Sequence, residues 1–157
     1  MNLDQQIQLL INDAPNDGIT PRLVKEIAPG LKQLATKLRH EQYYILQSLD
    51  AEWLVTTIRD RDNVEIEKRV IYAFPTLQDS ASTNSSGFAA QLIALPIPVT
   101  HILFQLVALE TVDSIIFFET PGEAIAGYEI KRQDIQKLIQ IQIKPKSPFN
   151  QIPPDLA

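Results

Sequence analysis

The chain has 157 residues, no cysteine, 45% hydrophobic and 21% charged residues, and a formal net charge of −5. Without thiols there are no disulfides, zinc–thiolate or iron–sulfur sites and no cysteine catalysis, and an acidic chain is not steered to a nucleic-acid backbone, which requires clustered Lys and Arg. The length fits one domain, which buries about two-thirds of its unfolded surface and needs no covalent staple.

Leu3, Ile7, Leu10 and Ile11 recur at helical spacing and predict a helix over 3–12. Turn residues from Asp13 to Gly18 end it. Thr20-Pro21 predicts a second helix, with Thr20 as N-cap and proline in its first turn. Val24, Ile27, Leu31, Leu34 and Leu38 keep one apolar face through Pro29-Gly30, so a single kinked helix is expected rather than two. His40 is expected at that helix's end, against the last carbonyls.

The hydrophobic period then changes to two. Residues 43–49, 52–60 and 65–74 predict three strands, joined by short turns at Asp50-Ala51 and Arg61-Asp62-Asn63 into an antiparallel meander. Ile66, Val70, Tyr72 and Phe74 face one way; Glu65, Glu67 and Arg69, followed by Ile71 and Ala73, face the other. A sheet apolar on both faces needs two covers, from helices or a second subunit. Pro75–Gly87 reads as a loop and Phe88–Leu95 as a short strand.

From Ser80 to Leu109 there is no Asp, Glu, Lys or Arg. Pro96 and Pro98 interrupt this run, and Thr100, His101 and Gln105 would need partners in lipid, so it is expected to be folding core rather than a membrane span. A helix beginning at Pro98 or Thr100 and ending at Leu109 is apolar on nearly every side and should be deeply buried. Val112–Glu119 (VDSIIFFE) predicts a central strand and Tyr128–Lys131 an extended piece. Gln133–Ile143 fits helix or strand, with its length and good helix formers favouring helix. The fold class is therefore α+β: a single domain over 1–144 with a mostly antiparallel four- to five-stranded sheet, two N-terminal helices and a C-terminal helix. A Pro-rich tail, 145–157, follows and adds no regular element.

Five glycines build none of the phosphate-binding loops, and neither G-x-S-x-G nor H-E-x-x-H is present. Two histidines far apart in sequence do not make a metal site, and neither a metal nor a cofactor is expected. Trp53, Tyr43 and Tyr44 could stack a base, but no basic surface accompanies them, so packing is the better reading. The opening MNLDQQIQLL lacks the basic region and cleavage site of a secretory signal, so a cytoplasmic protein is expected and the sequon Asn84-Ser85-Ser86 should be idle.

Three functions compete, in this order. The first is a non-enzymatic interaction, assembly or regulatory module, self-associating as a homodimer or binding another protein, without nucleic acid and without integral membrane association. Trp53, Val55 and Ile71 would mark its interface, and Phe149, Ile152 and Leu156 of the tail would dock on a partner. The second is a small-molecule binding domain whose pocket, between the sheet and the 100–109 helix, is lined by Phe104, Phe117 and Phe118, with His101 as polar handle and Glu119 at a strand end where ligands often bind. The third is an enzyme pairing His101 with Glu119 or Asp113, the carboxylates flanking the apolar strand.

The phrases EKRVIYAFPTLQD, PIPVTHILFQL and VDSIIFFETPG resemble a family of conserved, uncharacterised cyanobacterial proteins, over most of residues 1–144. No activity is attached to that family, so the resemblance carries no functional residues across. It implies a bacterial cytosolic protein.

Overall fold

A computed structural model describes residues 2–15, 17, 19–59, 67–84, 92–121 and 127–143. The first helix, α1 (Leu3–Asp13), opens on a reciprocal cap: Asn2 Oδ1 accepts from Gln5 N–H at 2.8 Å, and Asn2 N–H donates to Gln5 Oε1 at 2.9 Å. The second, α2 (Thr20–Ala35), runs as one helix through Pro29, which lies on its exposed side. Lys32 of α2 pairs with Asp4 of α1.

Thr20 is not the cap of α2. The cap position is Ile19, and Asp17, two residues before it, supplies the carboxylate: its Oδ1 accepts from Ile19 and Thr20 N–H at 2.8 and 2.7 Å, and its Oδ2 from the Thr20 hydroxyl at 2.7 Å. An ionised carboxylate bonds more amides than a threonine hydroxyl and opposes the positive end of the helix. The bonds from the Thr20 amide, then the Ile19 amide, hold the Asp17 carboxyl at about 2, below its ordinary 3.8. Because the folded value lies below the unfolded one, the stabilisation is complete above about pH 4 and is lost as pH falls towards about 2. Urea midpoints followed from about pH 5 to about pH 2 should drop less in Asp17→Asn than in the parent protein; parallel curves would refute the cap.

The sheet has six strands: β1 (Gln42–Gln47), β2 (Thr56–Arg59), β3 (Glu67–Phe74), β4 (Ile93–Pro98), β5 (Ser114–Phe118) and β6 (Gly127–Lys131). Their order is β4-β1-β3-β5-β6, with β2 also beside β3. The expected meander forms only in part: β2 pairs antiparallel with β3 as expected, but the first strand meets the second only at the Gln47–Trp53 bridge and its turn, and pairs with β3 itself. β1 and β2 both run antiparallel to β3: Tyr44 faces Phe74 and Ile45 faces Ala73, then Thr56 faces Val70 and Arg59 faces Glu67. The chain does turn at Asp50-Ala51, but after Leu54 it leaves β1. The reason is edge availability, since β4 pairs along the whole of β1 on one side and β3 takes the other. The Arg61-Asp62-Asn63 turn and Ile66 lie outside the described residues.

The sheet is mixed, because β5 lies parallel to β3, with Ile71 opposite Ile115 and Ala73 opposite Phe117. A parallel neighbour requires a long crossover. Here it runs through α3 (Leu77–Asn84), β4 and α4 (Val99–Ala108). α3 stands where a loop was expected. Its start carries a cap, the Thr76 hydroxyl accepting from Asp79 N–H at 3.1 Å and donating to the Asp79 carboxylate at 2.8 Å.

The strand expected at Phe88–Leu95 is β4, shifted onto the prolines; residues 88–91 lie outside the described part. Val99 N–H donates to Glu41 O at 2.9 Å. Alternate residues of an antiparallel strand bond the same neighbour, so Ile97 and Leu95 face β1 while Pro96 and Pro98 turn their missing N–H to the free edge. That blunts the edge against further strands. The uncharged run thus divides into a strand and a helix, and among the described residues no helix is long and apolar enough to cross a membrane.

Strand alternation gives the sheet two apolar faces. Tyr43, Ile45, Ile71, Ala73, Ile115, Phe117 and Ile130 form one core with α1, α2, α4 and α5 (Arg132–Ile143). Leu46, Phe74 and Phe118, with Tyr44, Tyr72 and Ile116 packed against them, form a second cluster. α5 is the helix favoured at 133–143. It crosses α2 at Gly30, where a Cβ would lie 2.8 Å from Leu138 Cδ2 and 2.9 Å from its Cγ. Gly30→Ala gains about 1 kcal/mol of helix propensity, yet the overpacking costs about 1–3 kcal/mol. A lowered denaturation midpoint is expected; a raised one would show that α5 yields without strain.

Candidate functional site

β1 ends in a tight excursion. Ser48 N–H donates to Glu52 O at 2.8 Å, Ala51 N–H to Ser48 O at 3.0 Å, and Leu54 N–H to Leu46 O at 2.9 Å. Ala51 holds φ at 64°, a left-handed conformation that costs a non-glycine residue about 1–2 kcal/mol. The turn puts Leu49 into solvent, 70% exposed. The Gln47–Trp53 bridge sets Trp53 half-buried against the helix-side core. Facing it, the end of α4 and the residues after it supply Gln105, Leu109, Thr111 and Val112. With Ala51, Glu52, Trp53, Val55 and Ile71 they line a groove of about 410 Å3. Its lining mixes apolar and polar groups, with Gln105 and Thr111 among them, and Glu52 is the one charged residue among the described lining. Exposed Glu110 stands between Leu109 and Thr111. Trp53, Val55 and Ile71, expected from sequence as interface residues, thus line one place, with Ile71 almost wholly buried at its floor.

No protein-family model matches the chain, and no curated protein matches it. The likeness to cyanobacterial proteins rests on the three sequence phrases alone, and the groove must be read from its own chemistry.

The side chains expected around a small-molecule pocket do not converge. His101 Nε2 lies 3.1 Å from Gln6 O, a backbone contact between α4 and α1. Phe104 is half-buried at the margin of the helix-side core. Phe117 is fully buried in that core, its ring 4.9 Å from Tyr43 at 70°. Phe118 belongs to the opposite face, stacked on Tyr72 and Phe74 at 5.5 Å each. Consecutive strand residues point to opposite faces, so Phe117 and Phe118 cannot line one cavity. Glu119 meets neither histidine's ring as an acid–base partner.

Glu119 instead ties a knot that the sequence did not announce. Its carboxylate accepts from the Tyr43 hydroxyl and, at 2.8 Å, from Arg39 N–H; its backbone oxygen lies 2.8 Å from His40 Nε2. His40 thus meets the end of β5 rather than the last turn of α2, and its ring stands edge-on to Tyr43 at 5.4 Å. Burial, then the hydrogen bond to Glu119, pushes the Tyr43 hydroxyl well above its ordinary value of 10.0, so it remains a donor. Tyr43 is 0% exposed while Glu119 and His40 are half-buried, which makes this a partly buried fastener between the α2 exit and the sheet.

Asp113, at the other end of β5, accepts from Arg69 N–H at 2.8 Å. It and Glu119 are separated by the whole strand, about 20 Å of extended chain, so they are not a catalytic pair. Nearby, the fully buried Ser114 hydroxyl donates to Glu129 Oε2 at 2.6 Å, and Lys68 pairs with the same carboxylate. Burial opposes ionisation of Glu129, but Lys68 and Ser114 outweigh it and hold the carboxyl below its ordinary range. A second cavity, about 480 Å3, is lined by Gln6, His40, Glu41, Gln42, Pro75 and Pro98. The Gln6 amide there is committed to Thr100 and Glu41, and His40 to Glu119. Among the described residues no three His, Asp or Glu gather closely enough to hold a metal ion.

Proposed function

We propose that the protein is a non-enzymatic interaction module that self-associates through the groove beside Trp53. The observation that carries this reading is the meeting of Trp53, Val55 and Ile71 in one groove, next to the 70% exposed Leu49. A tryptophan anchor flanked by apolar and polar groups supports a docking site. The blunted β4 edge argues for this groove over strand pairing as the route to a second copy. A soluble bacterial cytosolic setting belongs to the same proposal.

Val55 is 38% exposed, so Val55→Asp introduces a charge into the groove without entering the core. Light scattering should show a dimer for the parent protein and a dissociation constant raised by about 30-fold, equivalent to about 2 kcal/mol, for the variant. Unchanged association in Val55→Asp would sink the proposal.

A further inference from the structure

The strip of surface that runs through the groove changes character along its length. At one end the turn after β1 carries Asp50 and Glu52, both exposed. In the middle stand Trp53 and Val55. Trp53 packs on the helix-side core and Leu54 on the opposite cluster, so strand alternation returns Val55 and Thr57 to the helix side. At the other end Thr57 lies opposite Arg69, which shares the face of Ile71 two residues on. Arg69 is exposed, and Arg59 beyond it is paired with Glu67 at 3.0 Å. The nearby Asp113 carboxylate accepts from the Arg69 N–H at 2.8 Å. Along this strip the order is therefore acidic, apolar, basic.

Such an order is complementary to itself when reversed. In a two-fold contact, whatever one residue meets on the second copy is met in turn by its own counterpart. Glu52 precedes Thr57 by about 17 Å of extended chain, and the midpoint falls between Trp53 and Val55. An axis standing on that point packs the apolar middles together and lays the acidic end of each copy on the basic end of the other. An axis running along the strip would set acid on acid and base on base, which opposes association.

We propose that two copies pair this face antiparallel, with Trp53 and Val55 at the two-fold axis and Glu52 of each copy opposite Arg69 of the other. This rests on the docking reading above and fixes the register in which the second copy occupies the groove.

Charge reversal in the full chain tests the register. Glu52 bonds Ser48, and Arg69 bonds Asp113, through backbone atoms, so changing either side chain leaves those bonds in place. Glu52→Arg and Arg69→Glu each turn both facing pairs from unlike to like. Each variant alone should raise the dimer dissociation constant at least about tenfold. Mixed in equal amounts, the two variants offer each other only unlike pairs, and light scattering should show the dimer return at about the parent's strength. The double variant Glu52→Arg/Arg69→Glu should also dimerise like the parent. Trp53 is the only tryptophan in the chain, and its emission should shift to the blue over the same range of concentration.

If both single variants dimerise like the parent while Val55→Asp does not, this register is overturned and the groove reading survives. Single variants that keep the parent's circular dichroism, lose the dimer and do not regain it on mixing also overturn the register, because their charges then do not face each other. If Val55→Asp dimerises like the parent as well, both readings fall.

Discussion

Phe117→Ala should lower the stability of the protein by about 3–5 kcal/mol, the usual loss for deleting a buried aromatic ring. Phe117 is 0% exposed, edge-on to Tyr43, and sits in the helix-side core beneath α4. Truncation removes both the burial and the ring contact, and the rigid sheet on one side and helix layer on the other limit collapse of the void. Denaturant unfolding measures the effect. The experiment also separates the roles considered for this residue. A ring lining an open ligand pocket would be lost for about 1 kcal/mol or less, because no close-packed neighbours would be deprived of contact. A loss that small would return Phe117 to the list of binding residues.

Gln6→Leu should destabilise by about 3 kcal/mol, an unusual penalty for exchanging a polar residue for an apolar one of similar size. Gln6 is fully buried in α1. Its Oε1 accepts from Thr100 N–H at 3.0 Å and the Thr100 hydroxyl at 2.8 Å, and its Nε2 donates to Glu41 O at 2.8 Å. The N-cap position of α4 is Pro98, which has no side chain able to accept. The cap is therefore supplied from another helix, ninety-four residues away in sequence. Leucine would leave the Thr100 amide, its hydroxyl and the Glu41 carbonyl without this partner at about 1–3 kcal/mol for each group that water cannot reach. Hydrogen exchange at the Thr100 amide should accelerate together with the loss of stability. A change below about 1 kcal/mol would mean that water replaces the amide.

The regular elements with strong periods were legible in sequence. α1, α2, α4, β3 and β5 stand within a few residues of the expected spans, because each carries an apolar face that repeats at its own period. α3 carried a signal that went unread: Thr76 and Asp79 stand at capping-box spacing, hidden before a run of serines. Phe117 and Phe118 carried another, since neighbours in a strand cannot share a face. Trp53, Val55 and Ile71 belong to a sheet with apolar residues on both faces, and Trp53 and Val55 remain partly exposed beside the groove while Ile71 is buried.

The sequence by itself determined the α+β class, the two apolar sheet faces and the burial of α4. These follow from local propensity and hydrophobic period, which act over a few residues. Only the tertiary structure decided that β1 pairs directly with β3, that β5 lies parallel to β3, that Glu119 fastens Tyr43 and that Gln6 caps α4. Each of these depends on which strand edge or buried polar group is still unclaimed once distant segments have packed, and no local pattern carries that information.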